Sequence, residues 1–254
     1  MRVHAAFSTL ILSLVVVIAC SAQADEKPAE PIKLGFAWNL SLDAQGHVQQ
    51  LTAIPSKRAD RVPQVRERVE QAIRSWDFVS GTVDGHPAPT QTHLSVLISL
   101  LPNDENTYRI AFDDVRTGGH ILTATVPHFP VSAARDHRSG MVVLRVDYDA
   151  NGKTSSATLD PDSPPVDKRL VEASIDEVTR TWKFQPELVD GHGVPGTQVL
   201  PICYAVFNTP PRPSDAVSGC AWNPPGKHAA IAQGDSLAIN PVAHLANDMI
   251  GHAL

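Results

Sequence analysis

Three cysteines could carry thiol chemistry in this 254-residue chain: Cys20, Cys203 and Cys220. A structural zinc site would need a second soft ligand close by. No Cys-x-x-Cys or neighbouring His accompanies any of the three, so pairing is the stronger expectation. Eleven histidines are present, yet there is no His-Glu-x-x-His, no Gly-x-Ser-x-Gly and no phosphate-binding glycine loop. His86 and His192 lie beside turn glycines, and His228, His244 and His252 are scattered through the tail. Asp113-Asp114 and the pair Asp160 and Asp162 suit polar faces and turns better than acid/base catalysis. No catalytic residue, metal ligand or cofactor site is expected, and the remote alternative is an enzyme of an unrecognised type.

Compartment decides what the cysteines do. Arg2 precedes a mostly apolar run from Ala5 to Ala19, followed by Ala22-Gln23-Ala24 before Asp25. A basic start, a short apolar core and a small-x-small site make an export signal. The run is short for a bilayer span, which needs about 20 apolar residues. Cleavage after Ala24 would release a free protein, and this is the expectation. The alternative is Val17-Ile18-Ala19-Cys20, which is similar to a bacterial lipobox and would leave Cys20 lipidated, a membrane anchor facing the periplasm. Either way Cys203 and Cys220 remain for an oxidising compartment, which favours a disulfide. Closing that 17-residue span would stabilise the fold by about 3 kcal/mol in the chain-entropy treatment.

The composition excludes other classes. Twenty-one basic against 27 acidic side chains give a net charge of −6, the wrong sign for phosphate contacts, so no nucleic-acid partner is expected. Hydrophobic residues at 43% supply a core, while 21 prolines argue against a bundle of long helices.

The elements that position these residues occur twice. Trp76-Asp77-Phe78 returns 106 residues later as Trp182-Lys183-Phe184, and Val83-Asp84-Gly85-His86 as Val189-Asp190-Gly191-His192. Asp43-Ala44-Gln45-Gly46 returns as Asp149-Ala150-Asn151-Gly152 at the same offset. In each copy a first strand alternates its apolar residues: Phe36, Trp38, Leu40 and Leu42, then Val142, Leu144, Val146 and Tyr148. The Asp-Ala-x-Gly stretch makes a hairpin turn. A helix follows, with Val65, Val69, Ala72 and Trp76 on one stripe and Val171, Ile175, Val178 and Trp182 on the other. A closing strand points Leu94, Val96, Ile98 and Leu100 inward, matched by Leu200, Ile202, Tyr204 and Val206. Cys203 therefore faces the opposite side, and Pro201, which cannot donate to a ladder, implies that its strand lies at an edge or begins near there. Tyr108–Phe112 and Ile121–Val126 flank Gly118-Gly119 as an expected extra hairpin, and a short helix is expected over Val242–Ile250.

Further motifs give the second copy a family resemblance. Phe129-Pro130-Val131-Ser132-Ala133-Ala134, Gly140, the strand Met141–Tyr148, the Asp149-to-Gly152 turn and Trp182-Lys183-Phe184-Gln185-Pro186 occur in order. This series resembles the C-terminal domain of the TonB energy transducers over residues 127–207. The first copy keeps the strand, turn, helix and Trp-x-Phe, but has Ser80 where the closing Pro would stand. The resemblance implies a small antiparallel sheet packed with a helix, in the envelope of a Gram-negative bacterium. It also implies a partner, an outer-membrane receptor or other envelope protein, whose extended peptide adds to a sheet edge. The expected edge carries Thr197, Val199, Pro201, Cys203, Ala205 and Phe207. Residues 209–254 could instead fold back over it.

The sequence thus predicts an α+β fold of two tandem units. An export signal (1–24) and short linker (25–30) precede a divergent first unit (31–101). A connecting hairpin (102–126), a second unit (127–208) and a Pro-rich linker and tail (209–254) follow. The expected function is a non-catalytic interaction module of the periplasm. A transducer or accessory in outer-membrane uptake is the alternative, weakened because Cys20 to Pro31 leaves only a short spacer.

Overall fold

Period-two alternation in the first strand becomes a sheet with one dry face. In the computed structural model, β1 (Ile32–Leu42) buries Phe36, Trp38, Leu40 and Leu42 and leaves Asn39 exposed. Residues 31–103, 107–206 and 220–254 are described; Cys20, Ala24 and Phe207 lie outside them. After the Asp43–Gly46 turn, β2 (Val48–Ala53) returns antiparallel, with Trp38 opposite Ala53. A short 3-10 turn (Ala59–Arg61) leads into α1 (Pro63–Ile73), which starts on Pro, a residue whose missing N–H costs nothing in a first turn. Val69 and Ile73 are its deepest residues, with Val65 and Ala72 at the margin. Ile73 was not among the expected stripe. Trp76 follows the helix and remains core, edge-on to Phe112 with ring centroids 5.1 Å apart.

The chain then runs through β3 (Phe78–Val79) and a small hairpin, β4 (Thr82–Val83) with β5 (His86–Pro87). It continues into β6 (Thr90–Pro102), which pairs with β1 along its length. β7 (Tyr108–Gly118) folds back onto β6, which corrects the expected hairpin across Gly118-Gly119. The two glycines instead carry the chain out of the first sheet, and β8 (His120–Thr123) pairs later with β11 (Lys183–Gln185). The reason is the length of β6, whose His93–Pro102 stretch offers β7 a full ladder that a local hairpin could not match.

The chain continues with α2 (Val131–Arg135), then β9 (Gly140–Tyr148) and β10 (Thr154–Leu159), joined by the Asp149–Gly152 turn. α3 (Lys168–Thr181) is capped by Asp167, whose carboxylate accepts the Arg169 amide at 3.0 Å. It buries Leu170, Ser174 and Val178, with Val171 and Ile175 partly buried. After β11, the pair β12 (Leu188–Val189) and β13 (His192–Gly193) joins the first sheet through Thr90 and Gln91 of β6. β14 (Gly196–Tyr204) then pairs with β9 over its whole length.

The turns match at the 106-residue offset. Asp43 accepts the amides of Gln45 and His47 at 2.9 Å, and Asp149 accepts those of Asn151 and Lys153 at 2.9 Å. Gly46 (φ +88°) and Gly152 (φ +77°) leave room where a Cβ would run into the carbonyls of Phe78 and Phe184. Phe78 and Phe184 donate their amides to the carbonyls of those same glycines.

The tail is woven across strands from both halves of the fold. β15 (Ala221–Trp222) pairs with β16 (Ile231–Ala232), β17 (Leu237–Ile239) with β14, and β18 (His244–Leu245) with β3. Its last residues run beside β7, where Gly251 and Leu254 donate to the carbonyls of Phe112 and Ile110 at 2.8 Å. No helix forms over Val242–Ile250. The amides of Val242 and Ala243 go to the buried Glu187 carboxylate at 2.8 and 3.1 Å, and Leu245 goes to Phe78. These long-range partners outcompete a short helix, which would have been marginal alone. Trp222, Ile231 and Leu237 also dry the outer face of the second sheet over Val143 and Val199. Each fully buried side chain of this size contributes about 1.5–3 kcal/mol.

Candidate functional site

β14 is the element on which an interaction site can be built, because its two faces and its two edges have different fates. On the inner face Leu200, Ile202 and Tyr204 pack with Val142, Leu144 and α3. Tyr204 is fixed from two directions: its hydroxyl lies 2.8 Å from Ser174 Oγ, and its ring meets Phe129 edge-on at 5.2 Å. The Phe129-Pro130 opening thus buttresses the last residue of β14. Burial raises the Tyr204 phenol above its ordinary range, so it stays neutral. On the outer face Cys203 is bonded to Cys220, with Cα atoms 5.7 Å apart.

One edge belongs to β9. On the other, Thr197, Gln198 and Val199 stand opposite Ile239, Ala238 and Leu237 of β17. The Thr197 hydroxyl also donates to Asp147 at 2.7 Å, and this bond, with one from Ser156, holds the Asp147 carboxyl below the usual carboxylate range. Of the expected edge residues, Thr197 and Val199 are therefore covered by the tail. Pro201, Cys203 and Ala205 lie past the end of that pairing, and no other described strand pairs with β14 there. A cavity of about 290 Å³ adjoins this stretch, lined by Val126, Phe129, Tyr204, Ala205 and Cys220 among others. Val126 stands 82% exposed at its rim, an unusual position for a branched apolar side chain.

Residues 125–206 match the family model of the Gram-negative bacterial TonB protein C-terminal. The matched segment starts just past β8 and takes in α2, β9, β10, α3 and all of β14. Two proteins named Protein TonB, from strains B100 and ATCC 33913 of Xanthomonas campestris pv. campestris, are 34% identical over 80 residues. That stretch is 32% of this chain and 34% of each relative, so the likeness spans about a third of the curated relatives' length. No solved structure matches. Among the described residues no helix is long and apolar enough to cross a membrane.

The remaining polar residues fall into structural roles. His86 and His192 are exposed in their turns, His192 Nδ1 lying 2.9 Å from the Asp190 carbonyl. Asp114 is fully buried; it accepts from the Ala229 amide at 3.1 Å and lies 2.8 Å from His228 Nδ1 and 3.2 Å from Arg116 Nε. Asp160 pairs with Arg145 and accepts the Asp162 amide. No group of three or more His, Cys, Asp or Glu among the described residues could hold a metal ion. Sequence reasoning missed Glu187, the buried carboxylate that receives the tail. Its only signal was an acidic residue following Trp182-Lys183-Phe184-Gln185-Pro186 in a stretch otherwise expected to be core.

Proposed function

We propose that this chain is an exported, envelope-associated interaction module that takes an extended peptide of an outer-membrane receptor, or of another envelope protein, along the uncovered end of β14. The observation that carries the reading is the coincidence of the family match with that strand: the match over 125–206 ends where β14 runs beyond β17. Backbone groups left unpaired at an edge are a template for strand addition. Pro201 removes one donor and β17 covers three positions, so the contact is short and its affinity modest.

The proposal includes a duplicated architecture, a divergent unit at 31–101 and a second at 127–208, supported by the matched turns and matched inward residues. It also places the protein in the periplasm of a Gram-negative bacterium, freed by cleavage after Ala24, with lipidation at Cys20 as the alternative. The Cys203–Cys220 bond supports an oxidising compartment. The module works by binding and not by catalysis, and uses no cofactor.

The test is a titration of the isotope-labelled chain with short extended peptides from outer-membrane receptors. Amide shifts confined to Ile202–Val206, lost in Ala205→Pro, are the expected result. Shifts spread over other surfaces, or none with any peptide, overturn the proposal.

A further inference from the structure

A second concave surface lies where the two units meet, well away from the β14 edge. Its floor is the outer face of the first sheet, where antiparallel register sets Asn39 opposite His93 and Ser41 opposite Gln91. Its wall is the β8–β11 ladder, where His120 stands opposite Gln185. These elements enclose a cleft of about 540 Å³. The His93 and His120 rings stack across the seam with centroids 4.2 Å apart and planes inclined at 26°.

We propose that this cleft is a binding site for a neutral saccharide.

Three observations select that chemistry. First, no Asp, Glu, Lys or Arg lines the cleft, so a charged ligand would surrender its hydration without meeting an opposite charge. Second, hydrogen-bonding capacity is left over. The side chains of Asn39, Ser41, Gln91 and Gln185 bond no other described residue, and the Nδ1 atoms of both imidazoles are buried without a partner. Amides and a hydroxyl that both donate and accept complement sugar hydroxyls, which do the same. Third, Pro55, Pro186 and Leu122 supply apolar patches of the kind that meet the C–H face of a sugar ring. An extended peptide fits less well, because the floor presents side chains and not an unpaired strand edge.

A metal ion is a poor occupant. Nitrogen lone pairs lie in the ring planes, so two stacked imidazoles do not converge on one ion. Burial, the neighbouring His120 and Arg116 push His93 down to about 3, and burial also lowers His120. Both rings are then neutral and able to donate and accept at once.

The experiment applies the full chain to an array of neutral and acidic oligosaccharides and follows the best binder by calorimetry. The expected result is saturable binding to a neutral saccharide, weakened at least about tenfold in the Asn39→Ala, Gln91→Ala double variant. Both side chains are exposed, so the melting temperature of that variant should not change. Ala205→Pro should bind the saccharide like the wild type, which separates this site from the β14 edge. No saturable binding on the array, preference for acidic sugars, or equal binding by the double variant overturns the proposal.

Discussion

Val199 of β14 stands opposite Leu237 of the C-terminal segment, so one chain supplies both a sheet edge and the strand that covers it. The tail treats β7 the same way through Gly251, His252 and Leu254. Covering an edge removes the unpaired backbone through which proteins aggregate. What stays open on β14 begins at Pro201, which has no amide hydrogen to offer. The proposed partner contact is thus confined to a few residues beside the Phe129–Tyr204 pair.

The tail's hold should depend on Glu187. Its two oxygens accept the Val242 and Ala243 amides, and burial raises the carboxyl above its usual range, the amide bonds opposing this. Glu187→Ala leaves both amides unsatisfied, at a cost of about 1–3 kcal/mol each where they stay dry. Hydrogen exchange should show faster exchange over Leu237–Leu245 while β9 and β1 keep their protection.

The two turn glycines should respond alike. Gly46→Ala and Gly152→Ala each force a left-handed backbone on a side chain and drive a Cβ into the carbonyl of Phe78 or Phe184. A cost of about 1–3 kcal/mol is expected at each, before the collision is counted. Urea midpoints of the two variants measure it.

Acid should loosen the contact where His93 stacks on His120. The folded His93 sits at about 3, far below the ordinary value near 6.5, and His120 is lowered too. Between those values the unfolded chain binds more protons than the folded one, so stability falls as pH falls. The contribution is complete above pH 6.5 and lost progressively toward 3, by up to about 1.4 kcal/mol per pH unit for His93. Arg116 faces the same ring, so a proton there would also meet a fixed positive charge. Urea midpoints at pH 7.5 and 5 should differ in the wild type, and the difference should shrink in His93→Gln, with the His120 contribution remaining.

Loss of the disulfide should be costly but local. Cys220→Ser reopens a 17-residue span, worth about 3 kcal/mol, yet Trp222, Ile231 and Leu237 remain to hold the tail. The melting temperature should drop while the Val199–Leu237 ladder stays protected from exchange.

The elements set by local pattern were legible in the sequence. Phe36 to Leu42 and Val142 to Tyr148 alternate because each strand turns one apolar face to a core beside its helix, and all eight of these positions are buried, although the tail also covers Val143 on the other face. The pairing of Cys203 with Cys220 followed from compartment and face. What escaped depends on distant partners. Gly118-Gly119 looks like a hairpin until β6 claims β7, and Val242–Ile250 looks helical until Glu187 and Phe78 claim its backbone. His93 and His120 are unremarkable in sequence, 27 residues apart on separate strands, and only the seam stacks them. Of the expected edge, the alternation placed Cys203 outward correctly, but nothing local showed where β17 would stop.

Site-specific photocrosslinking in intact envelopes tests the proposed function most directly. A photoreactive residue at Ala205, directly after the uncovered end of β14, should yield adducts with an outer-membrane receptor or another envelope protein. The same probe at Glu172, exposed on α3, should yield none. Adducts from both positions alike, or from neither, would contradict a docking edge on β14.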